Sequence, residues 1–329
     1  MGDVAMTVPV IHALATQHPD LRITILTRKH LADLFSWTPS NVEVMGVNLD
    51  DYKGIGGLER LYSQLRQRRF DTVADLHDVL RTKYLRTRFR MSGRQVAVID
   101  KGRKQKQALI GHGTDAANLP HMTERYADVF RHLQLSVSLD FQRAFDPRLE
   151  DFTPIENRVG RKTGRWIGIA PFAAHEGKIY PLHLMQQVAV TLASRGYHVF
   201  LFGAGNKERQ ILQAWEQEGI RSVCGQMGGL RNEMLLMSRL DAMVAMDSAN
   251  MHMAALVGTP VVSVWGSTHP KAGFTPWGQP ATNIVQTDTL TCRPCSVYGN
   301  QPCQFGDYRC LSHIRPETIV QAVESCINQ

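Results

Sequence analysis

Apolar and polar residues follow two periods along this chain, one helical and one strand-like, and the pattern runs through twice. Val4–Leu14 carries apolar residues at helical spacing directly after Gly2-Asp3. Leu21–Leu26 and Val42–Val47 then read as short strands, Leu58–Arg68 as a helix, Phe70–Leu76 as a buried strand and Tyr126–Leu133 as a helix. From Trp166 the alternation begins again. Strands are expected over Trp166–Ala170, Tyr197–Phe202, Ala242–Ala245 and Pro260–Trp265, with helices over Leu182–Ser194, Lys207–Glu218, Leu230–Leu240 and from Asp247 to Val257. Strand and helix alternating in this way predict an α/β fold with parallel sheets. Phe145–Thr163, with Pro147, Pro154 and mixed charge, reads as a linker. Two Rossmann-like domains facing across a cleft are therefore expected, over residues 1–155 and 156–329. An α/β domain ordinarily opens on a strand, yet Gly2-Asp3 opens a helix. The expectation is that the first β-strand is missing, that an upstream start would restore it, and that the amino-terminal sheet has an unfilled central position.

Composition narrows the class. A hydrophobic fraction of 43% with 20% charged residues is that of a globular protein. No apolar run approaches the roughly 18 residues of a membrane span, and no basic segment precedes Val4–Ala15 as in a signal peptide. A cytoplasmic location is expected. The net charge of +7 is concentrated: Arg60–Lys106 holds fourteen Lys or Arg against four Asp. Such a patch focuses a field on a polyanion, whether nucleic acid, an anionic lipid head group or a phosphorylated glycan; a merely solvated helix face fits it equally. Tyr62, Phe70, Tyr84 and Phe89 lack the pattern of a base-stacking platform, and no nucleic-acid-binding motif appears. Four of six cysteines cluster as Cys292-x2-Cys295-x7-Cys303-x6-Cys310. They read either as a structural zinc clip or as reduced thiols packing a loop.

Ligands of parallel sheets bind beyond the carboxyl ends of the strands, and that rule selects three turns. At Asp247-Ser248-Ala249-Asn250-Met251-His252 a strand runs into a small polar turn that opens a helix, where free N–H groups and the helix dipole suit a phosphate. Asp247 or Ser248 as a plain N-cap is compatible with this. Lys178 follows the strand Trp166–Ala170 and offers a point charge to a diphosphate. Asp3 is either an N-cap or a general base. Gly203-Ala204-Gly205 has only two glycines of a dinucleotide fingerprint and reads as a strand-to-helix turn.

Taken in order, Gly2-Asp3-x5-Pro9, Lys178-x2-Pro181, Asp247-Ser248-x3-His252-x7-Pro260 and Gly266-Ser267-Thr268-His269-Pro270 resemble the ADP-heptose:lipopolysaccharide heptosyltransferase family, glycosyltransferase family 9. Asp75-Leu76-His77 with Arg81, and His121 with Arg125-Tyr126, are similar to its amino-half landmarks, and the cysteine cluster followed by Ile314-x-Pro316-Glu317 is similar to that of many members. The resemblance implies a GT-B fold and an inverting transfer of heptose from ADP-heptose to an anionic, lipid-linked lipopolysaccharide core. By position Asp3 is the base. Lys178, Asp247, Ser248, Ala249, His252 and Thr268 fall on the donor side, and Arg81, His121 and Arg125 on the acceptor side. No cofactor is needed for the chemistry, so zinc at Cys292, Cys295, Cys303 and Cys310 would be structural. Peripheral contact with the inner face of the cytoplasmic membrane is implied, and no nucleic acid. Ala249 stands where the family commonly has Gly, and Tyr180 where Trp is common. Another GT-B nucleotide-sugar enzyme, such as one with a different donor or a 2-epimerase, is the alternative; a basic nucleic-acid-binding protein is the distant one.

Overall fold

A computed structural model describes residues 1–110 and 117–328. They fall into two compact units: Asp3–Lys101 with Met122–Phe141, and Gly102–His121 with Gln142–Gln329. The break expected near residue 155 and the linker around it lie wholly inside the second unit, where Thr153–Val159 is helical.

The first unit opens on two helices, α1 (Gly2–Ala5) and α2 (Val8–Gln17), the latter with Pro9 in its first turn, where a missing N–H costs nothing. Strands β1 (Ile23–Arg28) and β2 (Val42–Val47) pair in parallel. Helix α3 (Gly54–Arg66) leads to β3 (Thr72–Asp75), and α4 (Leu80–Met91) leads to β4 (Gln95–Val98), parallel to β3. The four strands form two parallel pairs, and among the described residues no ladder joins them. Helix α5 (Arg103–Ala108) belongs to the second unit, and α6 (Met122–Arg131) returns to the first. Leu61, Tyr62 and Leu65 of α3 pack with Leu85 and Phe89 of α4 to form a small core.

In the second unit α7 (Thr153–Val159) precedes β5 (Trp166–Ala170), α8 (Leu182–Ser194), β6 (His198–Leu201), α9 (Gly205–Gln213) and β7 (Ile220–Ser222). Then come α10 (Leu230–Met237), β8 (Ala242–Met246), α11 (Ala249–Leu256), β9 (Val261–Trp265), β10 (Ile284–Gln286), α12 (Arg309–Ser312) and α13 (Pro316–Ile327). The six strands form one parallel sheet in the order β10-β9-β8-β5-β6-β7. Every residue of β5, β8 and β9 is buried, as central parallel strands must be when helices cover both faces. Ile167, Ile169, Val244 and Val262 pack with Met185 and Val188 of α8 and Ile319 and Val323 of α13.

Candidate functional site

Strand order locates the site in the second unit. The chain leaves β5 toward β6 and β7, then returns to add β8, β9 and β10 on the other side of β5. Between β5 and β8 the winding reverses, and a crevice opens where the two following loops part. Lys178 lies in the loop after β5, Asp247 directly follows β8, and Gly266–His269 follow β9.

These loops converge on one carboxylate. Asp247 is 6% exposed, and its Oδ2 accepts from Lys178 Nζ at 2.9 Å and from Thr268 Oγ1 at 2.8 Å. The loops are also tied backbone to backbone: Ser267 N–H donates to Gly177 O at 2.8 Å. That approach requires glycine at 177, because a Cβ there would strike Ser267 Oγ. The half-buried lysine therefore carries a matched counter-charge.

Beside this pair α11 begins without a side-chain cap. Ser248 is extended at the N-cap position, and its Oγ bonds no first-turn amide. The N-cap reading of Ser248 is thus not realised. Its Oγ is buried with no hydrogen-bond partner, as are Ser267 Oγ and His269 Nε2. Lys271 N–H donates to His269 Nδ1 at 3.1 Å, which places the ring proton on Nε2. Burial first, then Arg293 and Lys271, pushes His269 down to about 4, so it is neutral at physiological pH. An uncapped helix start, a lysine and three unsatisfied polar atoms on the loops after β8 and β9 offer groups suited to an anionic, oxygen-rich ligand. Ala249 is the first residue of α11, and His252 is buried one turn on.

The other residues singled out by sequence lie elsewhere. In the first unit Asp3 is exposed in the only turn of α1, within electrostatic reach of His77. Asp75 ends β3, accepts from the backbone N–H groups of His77 and Asp78 at 3.0 and 2.9 Å, and pairs with Arg86 at 2.8 Å. This holds the His77 turn rigid. Crowding by protein atoms and Lys101 lower the His77 pKa, while Asp3 and Asp75 pull it up. Arg81 is exposed at the start of α4 and lines a cavity of about 640 Å³ with Ile55, Leu80, Lys53, Lys83 and Tyr84. Arg125 is instead buried, with Nη1 3.3 Å from Asp100 O. His121 belongs to the second unit, its Nε2 2.7 Å from Thr275 O and its ring edge-on to Trp277. The three residues expected on the acceptor side are thus divided between the units.

The model of glycosyltransferase family 9 (heptosyltransferase) matches residues 58–304. The chain belongs to this family. Among its curated relatives, lipopolysaccharide heptosyltransferase 2 of Salmonella typhimurium is 25% identical over all of this chain and 96% of its own length. Lipopolysaccharide heptosyltransferase 3 of Escherichia coli is 24% identical over 87% of this chain and 85% of its own. Two solved structures share the fold. A glycosyltransferase family 9 protein from Veillonella parvula has a TM-score of 0.74 at 20% identity, covering 99% of this chain and 94% of that one. E. coli ADP-heptose lipopolysaccharide heptosyltransferase II has a TM-score of 0.68 at 19% identity, covering 99% and 95%. The fold expected from the resemblance, GT-B, is that of these heptosyltransferases, and the chain is a glycosyltransferase. No described helix is long and apolar enough to cross a membrane.

Within this family 9 chain, Tyr180 at the position where Trp is common is fully buried and donates its hydroxyl to Ile314 O at 2.6 Å. Burial pushes its pKa up to about 12, so it stays neutral. The four clustered cysteines carry two readings, a structural zinc clip or reduced thiols packing a loop. Among the described residues no group of three or more His, Cys, Asp or Glu is arranged to hold a metal ion. Cys295 donates its thiol to Cys292 O at 3.1 Å, and burial pushes Cys310 up to about 11. Burial also raises Cys295, whereas backbone hydrogen bonds from the 305–308 turn lower Cys303.

Proposed function

We propose that this enzyme transfers a heptose from ADP-heptose to an anionic lipopolysaccharide-core acceptor with inversion at the anomeric carbon. The observation that carries the reading is the Lys178–Asp247–Thr268 arrangement at the uncapped start of α11. The names of the curated relatives support heptose and lipopolysaccharide as the substrate classes. An acceptor hydroxyl oxygen attacks the anomeric carbon, the bond from that carbon to the diphosphate oxygen breaks, and ADP leaves. Negative charge then grows on the diphosphate. Lys178, the α11 amides and the Ser248 hydroxyl stabilise it as fixed dipoles and charge, which need no reorganisation at the moment of reaction. His269 Nε2–H and the Ser267 hydroxyl supply further hydrogen bonds. The hydroxyl proton passes to Asp3, whose exposure keeps it available. No metal is required for any of these steps.

The basic surface gains a role in the same scheme. Ile55 and Leu80 are 73% and 84% exposed beside Lys53, Arg81 and Lys83. Apolar side chains among cations suit a phosphorylated lipid acceptor presented at a membrane surface. This makes the enzyme a peripheral protein of the inner face of the cytoplasmic membrane.

Calorimetric titration with ADP, UDP and GDP tests the reading. ADP is expected to bind most tightly, and Lys178→Ala to weaken it roughly tenfold or more by removing a charge-assisted contact. Preference for UDP would assign a different nucleotide-sugar donor, and no binding at millimolar concentration of any of the three would remove the donor site.

A further inference from the structure

The segment after β10 reaches back to the loops of the Asp247 site and carries a buried cation that the proposed reaction does not use. Arg293 is 1% exposed. Its guanidinium donates from Nε to Gly266 O at 2.9 Å, from Nη2 to Thr268 O at 2.7 Å and from Nη1 to Thr287 O at 3.0 Å. Among the described residues no carboxylate pairs with it. Taking a full charge out of water to meet only carbonyl groups is costly, and a lysine's three donors do not match this planar fork. The segment makes two further contacts. Cys295 N–H donates to Ser267 O at 2.9 Å, which extends the Gly177–Ser267 tie to a third loop. Gly299, at φ +75°, lies under the Lys178 stem, and a Cβ there would come within 2.7 Å of Lys178 Cγ.

We propose that Arg293 is a positioning residue for the diphosphate site, acting through Thr268 and Asp247 on Lys178. It grips the carbonyls on both sides of Ser267. This sets the Thr268 hydroxyl on Asp247 Oδ2, the oxygen that also holds Lys178 Nζ. Asp288 lies within electrostatic reach but forms no ion pair with it, so an anion bound nearby would complete the balance of its charge. The inference rests on the nucleoside-diphosphate reading above for its ligand, and on the three carbonyl contacts for its geometry.

Arg293→Met keeps apolar volume and removes the donors, whereas Arg293→Lys keeps the charge and loses the fork. Val323→Ala, a cavity in the α13 core that touches none of the Arg293 hydrogen bonds, serves as a control for general loss of stability. We expect Arg293→Met to weaken ADP binding about tenfold and to lower kcat/KM about 100-fold, as misplacement of catalytic groups does, with Arg293→Lys recovering little. Val323→Ala is expected to bind ADP as the parent does. In Arg293→Ala, millimolar guanidinium is expected to restore part of the ADP affinity, which a purely structural defect would not allow. Hydrogen exchange gives a readout independent of any nucleotide. The Ser267 and Cys295 amides should lose protection in Arg293→Met while those of β8 keep theirs. Unchanged ADP affinity in Arg293→Met, or a loss matched by Val323→Ala, overturns the assignment. If the parent enzyme binds no nucleoside diphosphate, the functional reading and the ligand proposed here fall together. Unchanged protection at Ser267 and Cys295 overturns the clamp itself.

Discussion

Two aspartates, each at the start of a helix in its own unit, are held in opposite ways. Asp247 is buried, and one of its oxygens is shared by a lysine and a threonine. Asp3 is exposed in a four-residue helix, and among the described residues its carboxylate accepts no hydrogen bond. A carboxylate with both partners fixed is suited to holding other groups in place. One that is free of partners is suited to taking a proton. The difference assigns the two a division of labour from their surroundings, since the residue type is the same. Glu233 on α10 is a third case: half-buried, without a side-chain partner among the described residues, and pushed by desolvation up to about 7.

The contrast can be broken most decisively at Asp3. Asp3→Asn is expected to lower turnover about 100- to 10,000-fold, the range for a lost general base, with melting temperature and ADP affinity unchanged. Near-normal turnover would take Asp3 out of the mechanism. Asp247→Ala should act in the opposite sense, costing about 3 kcal/mol of stability because it strands the Lys178 ammonium. Urea unfolding measures this, and a cost below 1 kcal/mol would mean that the pair does not hold the turn. Glu233→Gln sharpens the comparison by removing a desolvated charge that has no side-chain partner among the described residues. Below about pH 4.5 the acid is protonated whether the chain is folded or not, so stability is unaffected. Between there and pH 7 the unfolded chain releases the proton and the folded one keeps it, so stability falls as pH rises. Above pH 7 the cost is complete, about 3 kcal/mol at most. Glu233→Gln should therefore raise the melting temperature at pH 8 and leave it unchanged near pH 4.5. Equal gains at both would contradict the desolvation argument. Arg81→Ala should change stability by less than about 0.5 kcal/mol, with its effect confined to the KM for acceptor.

The second unit was the more legible of the two because its strands are continuous apolar runs. Trp166–Ala170 and Leu182–Ser194 coincide with the expected strand and helix, and Val261–Trp265 differs by one residue. Strands β4, β7 and β10, of three or four residues, are too short to express a period and passed unnoticed. Helix α4 was hidden by its own basicity, since only Leu85 and Phe89 of LRTKYLRTRFRM are buried. Helix α13 did carry a signal, with Pro316 and Glu317 ahead of Ile319, Val320, Val323 and Cys326 at helical spacing. Lys178, Asp247 and Thr268 were found because family spacing preserves their order. Arg293 was not, because its meaning comes from carbonyls 6, 25 and 27 residues away, which no local pattern marks. His269 is intermediate: its motif was visible, but the tautomer that makes it a donor depends on the Lys271 amide.

The paired strands of the first unit have a practical consequence. One edge of β1 and one edge of β3 offer backbone N–H and C=O groups that no neighbouring strand takes up among the described residues. Such edges are templates for strand addition by another chain, whereas the six-stranded sheet exposes only its short end strands, each three residues long. In a concentrated solution, self-association should therefore begin in the first unit, growing with protein concentration and showing new intermolecular sheet in the infrared amide band. A single proline in β1 should suppress it more effectively than any change to β7 or β10.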